Sequence, residues 1–502
     1  MNRISRFRLK TIRLSSISAA LCCSLLTGTH AYADSLRDIY ELAIKNDAKL
    51  KAAEATYKAN LETEQQAKSR LLPQLNGEAS YGKVDRDQDS QSLTGSSLFD
   101  LTSSKVNTQT DTTDKSWGVS LTQALFDMPS WFSFKSGRVV SEQAKAQFSA
   151  DQQDLIVRVA EAYFTVLRQW DNLQVALAEE RADKRQLEQA QQRFDVGLVA
   201  ITDVHEARAA YDASYASRLT DEGALASAYE TLSTFTGQPH ANLSLLNKEF
   251  PVTEPAPNDR AEWVNFALNG NYALKAARYA MEAAEENAAS KRWEHAPKLT
   301  GSLSYKHDDV SGTTDTNPQS LLSFPPDAQT DTKAAMLNLT VPIYSGGYTS
   351  SAQRQAAAQY SATLERKTDT ERSVIQGTRA RHIAANTDVQ RVKARAQSII
   401  SAQSALDATK AGYEVGTRNI VDVLQTQRVF FAAQRDYANA RYDYVLDMLR
   451  LKQVAGTLSP QDINDLNDWL VAPDSPKAST YTITEDKTPD ENTDKKTERK
   501  KR

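Results

Sequence analysis

Six histidines, His30, His205, His240, His295, His307 and His382, are scattered along the 502-residue chain, and none stands at ligand spacing from another. No nucleophile elbow, phosphate-binding loop or dinucleotide fingerprint accompanies them. These residues argue against an enzyme and offer no metal or cofactor site. What does form a pattern is a group of ionisable and polar side chains around two glycines. Thr202 and Asp203 follow Gly197, while Tyr413 precedes Gly416 and Arg418, Asp422 and Gln425 follow it. Each aspartate falls where a helix begins, and there a carboxylate ordinarily serves as a cap or a dipole partner.

The two glycines belong to a phrase written twice. F-D-V-G-L-V-A-I-T-D-V runs from Phe194 to Val204, and Y-E-V-G-T-R-N-I-V-D-V from Tyr413 to Val423. Gly197 and Gly416, Asp203 and Asp422, and Gly237 and Gly456 are all 219 positions apart, far beyond the period of a solenoid. Upstream, L-T-Q-A-L-F at Leu121 answers L-T-V-P-I-Y at Leu339, and L-P-Q-L at Leu72 answers A-P-K-L at Ala296. The chain is therefore read as two structural repeats.

Within each repeat the periodicity changes. Helical segments rich in Ala, Glu, Lys and Gln, about 36–70 and 261–292, end before Pro73 and Pro297. Period-two segments follow. Leu75, Gly77, Ala79 and Tyr81 alternate with polar residues, as do Leu299, Gly301, Leu303 and Tyr305. A second strand comes in each repeat, through Trp117, Val119 and Leu121 and through Leu337, Leu339 and Val341. Each strand is expected to span about 10 residues, the length of a tilted membrane strand. The intervening polar stretches, about 85–115 and 307–333, read as hairpin loops in water. Long helices follow, from about Arg138 to Val196 and from about Tyr348 to Val415, each about 90–100 Å at ~1.5 Å per residue. Shorter ones run from about 202 to 235 and from about 419 to 454.

Four amphipathic strands cannot close a membrane barrel, which needs about eight. An open edge in lipid would strand backbone groups at several kcal/mol each, so the barrel must be shared between chains. Two, three or four copies would satisfy closure.

The N-terminus fits an export signal. Arg3, Arg6, Arg8, Lys10 and Arg13 precede an apolar stretch from Leu14 to Leu26 and an A-Y-A cleavage site ending at Ala33. Leu21 and Cys22 are poor neighbours for a lipidated cysteine at Cys23. Cleavage removes both cysteines, so no disulfide is available to the mature chain. It also moves the formal net charge from −4 to about −9, which argues against a nucleic-acid partner. The expected division is a signal peptide at 1–33, a first repeat at 34–235, a linker at 236–260 and a second repeat at 261–454. A C-terminal segment at 455–472 and a disordered tail at 473–502 complete it.

The order strand, strand, long helix in two copies, with R-F-D-V-G-L-V-A-I-T-D-V at Arg193 and G-Y-E-V-G-T-R-N-I-V-D-V at Gly412, resembles the TolC family of outer membrane efflux proteins. F-D-M at Phe126, P-I-Y-S-G-G at Pro342 and Y-A-N-A-R-Y-D-Y at Tyr437 belong to the same pattern. The resemblance implies an α+β membrane protein: a homotrimer whose β-barrel lies in outer-membrane lipid and continues as a long α-helical barrel across the periplasm. Residues 236–260 and 455–472 would form its equator. It implies an exit duct for tripartite efflux and type I secretion. The duct would dock a periplasmic adaptor and an inner-membrane efflux pump or ABC exporter. It makes the turns at Gly197 and Gly416 an adaptor-binding tip. It makes Thr202, Asp203, Tyr413 and Arg418 a gate, with Tyr413 and Arg418 bonding to Asp203 and Thr202. Asp422 would line the constriction, and Gln425 stands where the family's model member has a second acid. The readings set against it are a non-transporting coiled-coil stalk and a periplasmic adaptor.

Overall fold

The computed structural model describes residues 33–94, 102–317, 325–473 and 475. The expected signal peptide, but for Ala33, and nearly all of the expected tail lie outside the described residues. Among the described residues, no helix is long and apolar enough to cross a membrane.

Each repeat opens with a broken helix rather than the continuous one expected. Helices α1 (Leu36–Asn46) and α2 (Ala48–Ser69) meet at Asp47, whose carboxylate accepts from the amides of Lys49 and Leu50 and starts α2 afresh. Strands β1 (Gln74–Thr94) and β2 (Thr102–Phe126) follow, then α3 (Met128–Asp195) and α4 (Ile201–Thr236). After β3 (Leu245–Leu246), the second repeat gives α5 (Arg260–Gly270) and α6 (Tyr272–Arg292), parted by Asn271, which caps α6 at Leu274. Strands β4 (Lys298–Asn317) and β5 (Ala328–Thr340) lead to α7 (Tyr348–Glu414) and α8 (Ile420–Ala455). The short α9 (Pro460–Asn467) and β6 (Leu470–Val471) complete the order.

Helix α3 starts ten residues before the expected Arg138. Pro129 is tolerated in its first turn, where no intrahelical amide bond is lost, and Asp127 caps it at Ser130. At 68 residues α3 is about 100 Å long, and α7, with 67, nearly matches it. Each long helix has two shorter partners. Helices α2 and α6 flank α3 nearer the strands, while α4 and α8 flank it towards the turns, with α7 beside α6 and α8. The largest core sits partway along, where Leu155, Val159, Tyr163, Phe164 and Leu167 of α3 meet Leu36 and Ile39 of α1, Leu232 of α4, Val445 and Leu449 of α8 and Ile463 of α9. Strands β3 and β6 pair antiparallel on this belt.

The four long strands form one antiparallel sheet in the order β1-β2-β4-β5. They are 21, 25, 20 and 13 residues long, not about 10. The polar segments expected to be loops are largely paired instead: Asp85 lies opposite Asp111, and Asp111 opposite Thr313. Register explains the amphipathicity. Leu75, Leu121, Leu303 and Ala335 are neighbours across the sheet and share one face, followed by Gly77, Val119, Tyr305 and Lys333. That face exposes Leu75, Tyr81, Trp117, Leu303, Leu337 and Leu339. Trp117 and Tyr305 meet at 5.3 Å, an aromatic pair at the level where the apolar rows give way to polar ones. The opposite face carries Ser80, Ser116, Ser120, Ser302 and Ser304, with Ser80 and Ser116 hydrogen-bonded at 2.8 Å. Strands β1 and β5 each leave one edge unpaired within the chain.

Candidate functional site

The two repeated turns sit at the ends of the long helices, away from the sheet. Gly197 (φ +77°) and Gly416 (φ +79°) are both left-handed, a conformation that a side chain would strain. Gly197 and Leu198 donate back to the carbonyls of Phe194 and Arg193, each at 2.8 Å, closing the end of α3. Thr417 closes α7 in the same way, donating to Gly412 at 2.8 Å. The amide of Asp422 is capped by Asn419 at 2.8 Å, so this acid occupies the first turn of α8 as Asp203 occupies that of α4. Phe194, Val196, Leu198 and Val415 are exposed around the turns.

Within one chain the site residues expected from sequence make contacts other than those expected. Among the described residues, no hydrogen bond or ion pair joins Tyr413 or Arg418 to Thr202 or Asp203 within one chain. Thr202 lies instead against Asp203 at 3.4 Å, and Arg418 stands 3.7 Å from Asp422, one turn along its own helix. The stem of Arg418 folds over Gly412, where an added Cβ would come to 2.8 Å from its side chain. The Tyr413 hydroxyl is buried with no hydrogen-bond partner, and the guanidinium of Arg193 lies 4.8 Å above the Tyr413 ring. Asp422 is partly exposed and Gln425 exposed.

Above the turns, a ladder of polar contacts joins α3 to α8, and the sequence reading missed it. Arg450 pairs with Glu161 at 2.6 Å, and Arg168 with Asp443 at 2.5 Å. The Tyr442 hydroxyl donates to Asp171 at 2.6 Å, Arg435 approaches Glu179 at 3.4 Å, and Gln427 donates to Asp183 at 2.6 Å. Burial pushes the Asp171 carboxyl up to about 6, against the opposing pull of the Tyr442 hydroxyl and the Arg441 charge. Burial likewise raises Glu179, against Arg435, and Asp183, against its hydrogen bonds from Ser214 and Gln427. A signal existed in the sequence: Gln427, Arg435, Tyr442 and Arg450 recur every seven or eight positions, placing polar groups on the inward stripe of a helix.

Four strands with an apolar outer face and two open edges, running into helices about 100 Å long, define a class: an outer-membrane channel whose barrel is shared between copies and prolonged by a helical tube. The chain belongs to the outer membrane efflux protein family, whose model matches residues 39–238 and 263–457. It is 38% identical over 442 residues to the outer membrane protein TolC of Vibrio cholerae, covering 88% of this chain and 94% of that protein. It is 26% identical over 455 residues to the alkaline protease secretion protein AprF of Pseudomonas aeruginosa, covering 90% of each. Among solved structures it is similar in fold to CusC, with a TM-score of 0.69 at 17% identity over 84% of this chain and 92% of the other. These relatives do not favour the stalk or the adaptor reading, and they place the protein in the outer membrane, reaching into the periplasm.

Proposed function

We propose that three copies of this chain close a twelve-stranded barrel, each edge β1 pairing with β5 of a neighbour, and act as the exit duct of efflux and type I secretion systems. The observation that carries this reading is the continuity of the sheet with the long helices. Strand β2 passes into α3 through a single residue, Asp127, so barrel and tube share an axis and a lumen. The inner face suits polar cargo, since it offers the hydroxyls of Ser80, Ser116, Ser120, Ser302 and Ser304 together with charges of both signs at Glu78, Asp114, Lys306 and Asp308.

The reading extends to partners. The exposed apolar turns at Gly197 and Gly416 form the tip that receives a periplasmic adaptor, through which an inner-membrane efflux pump or ABC exporter delivers cargo. Thr202, Asp203, Tyr413 and Arg418 form the gate that holds the entrance narrow. Asp422 supplies a ring of three carboxylates at the constriction, and Gln425 leaves the next ring neutral. Such a ring concentrates cations at the narrow end.

Deleting the gene and complementing it with the wild-type chain tests the function. Loss and recovery of both drug resistance and exported protein supports a shared duct. Unchanged resistance together with unchanged export overturns it.

A further inference from the structure

The polar ladder between α3 and α8 stops well short of the turns. Its last rung is Gln427 on Asp183, ten residues before Arg193, or about 15 Å along the helix. Beyond that rung, among the described residues, no hydrogen bond or ion pair joins the α3/α4 pair to the α7/α8 pair. The small apolar core at this end, Ala190, Val204 and Ala207, lies wholly within α3 and α4. One polar contact does cross between the pairs there: the guanidinium of Arg193, in the last turn of α3, over the ring of Tyr413, in the last turn of α7.

We infer that Arg193 is a latch residue, a cation seated on the Tyr413 ring that ties the two helix pairs of one chain together at the periplasmic tip and holds the entrance narrow. This rests on the proposed gate and adds a residue and a chemistry to it. The ring face of Tyr413 carries the contact, in keeping with a hydroxyl that is buried and has no partner. A guanidinium suits the role because it stacks flat on an aromatic face and stays charged at every working pH. Its place in the last turn of α3 also sets it favourably against the helix dipole, but that interaction alone would not require Tyr413. The latch acts within a chain. Each copy can therefore restrain its own helix pair before any partner contributes.

Single-channel conductance in planar bilayers tests the latch, using Arg193→Met, Tyr413→Leu, their combination and Arg193→Lys, with Arg418→Ser as a separate probe of the gate. Native mass measurement confirms that each variant assembles, and Arg193→Gln replaces Arg193→Met if the latter does not. Arg193→Met and Tyr413→Leu should each raise resting conductance several-fold. The double variant should rise no further than the larger single one, because both remove the same contact. Arg193→Lys, which keeps the cation, should recover most of the closed state. If Arg193→Met conducts like wild type while Arg418→Ser opens the channel, the latch is wrong and the gate stands. Fully additive effects of the two single variants would likewise overturn the latch. If Arg193→Met, Tyr413→Leu and Arg418→Ser all conduct like wild type, the gate itself lies elsewhere.

Discussion

Replacing Asp171 by Asn isolates the cost of placing an ionised carboxylate between α3 and α8. In the wild-type chain this group is raised from 3.8 to about 6 by burial. A folded-state value above the unfolded one means that the folded protein holds its proton more tightly. The associated stability is fully present below about pH 4 and is lost as pH rises through about 6. The difference in pKa corresponds to roughly 3 kcal/mol per chain. An Asn amide oxygen still accepts from the Tyr442 hydroxyl, which lies 2.6 Å from Asp171, but it never ionises. For a mature chain of about 470 residues, roughly 2.1 cal/mol/K of unfolding entropy per residue converts ~3 kcal/mol into a shift of ~3 °C. The assay is the thermal midpoint of detergent-extracted protein at one fixed scan rate, recorded from pH 4 to pH 7.5 for both proteins. The difference between Asn variant and wild type should climb by about 3 °C across that range in favour of the variant. A constant difference, or one that falls with pH, would show that Asp171 ionises normally in the fold and would refute the reasoning.

Other expectations follow from the two faces and two ends of the molecule. Leu303→Arg places a charge on the apolar face of β4, at a cost of about 2–4 kcal/mol near the membrane midplane. It should reduce the assembled fraction on native gels, whereas Ser304→Arg, on the opposite face, should assemble normally. A cysteine at Thr314, above the aromatic level of β4, should label with an impermeant maleimide on intact cells, while one at Ala200 should not; the reverse pattern would invert the topology. Asp422→Ala should leave resting conductance nearly unchanged but abolish block by divalent or trivalent cations added from the turn side. Persistent block would move the carboxylate ring away from Asp422.

The repeated phrase made the helical half of the fold legible. Gly197 and Gly416 mark left-handed turns because few other residues adopt that backbone, and long stretches without proline mark the helices between them. Strand length was not legible. Residues such as Gln88, Thr108, Thr110 and Thr112 look like loop by composition, yet they pair across β1, β2 and β4, since partner strands supply the backbone bonds that single-chain composition does not reveal. The breaks at Asp47 and Asn271 were also missed, although both are good N-caps, because the Ala-rich segments around them carry strong helix propensity. At the candidate site, sequence located the turns and their polar residues but not their bonds. Which side chain meets which depends on how α3 and α7 converge, and so Arg193, read only as part of a motif, turned out to cover Tyr413.

The shared barrel is the central claim, and the most direct test is the native mass of the mature protein extracted in detergent, combined with N-terminal sequencing. Three copies, each beginning at Asp34, is the expected result, because β1 and β5 leave edges that only neighbouring chains can pair. A stable single chain, or a retained segment 1–33, would contradict it.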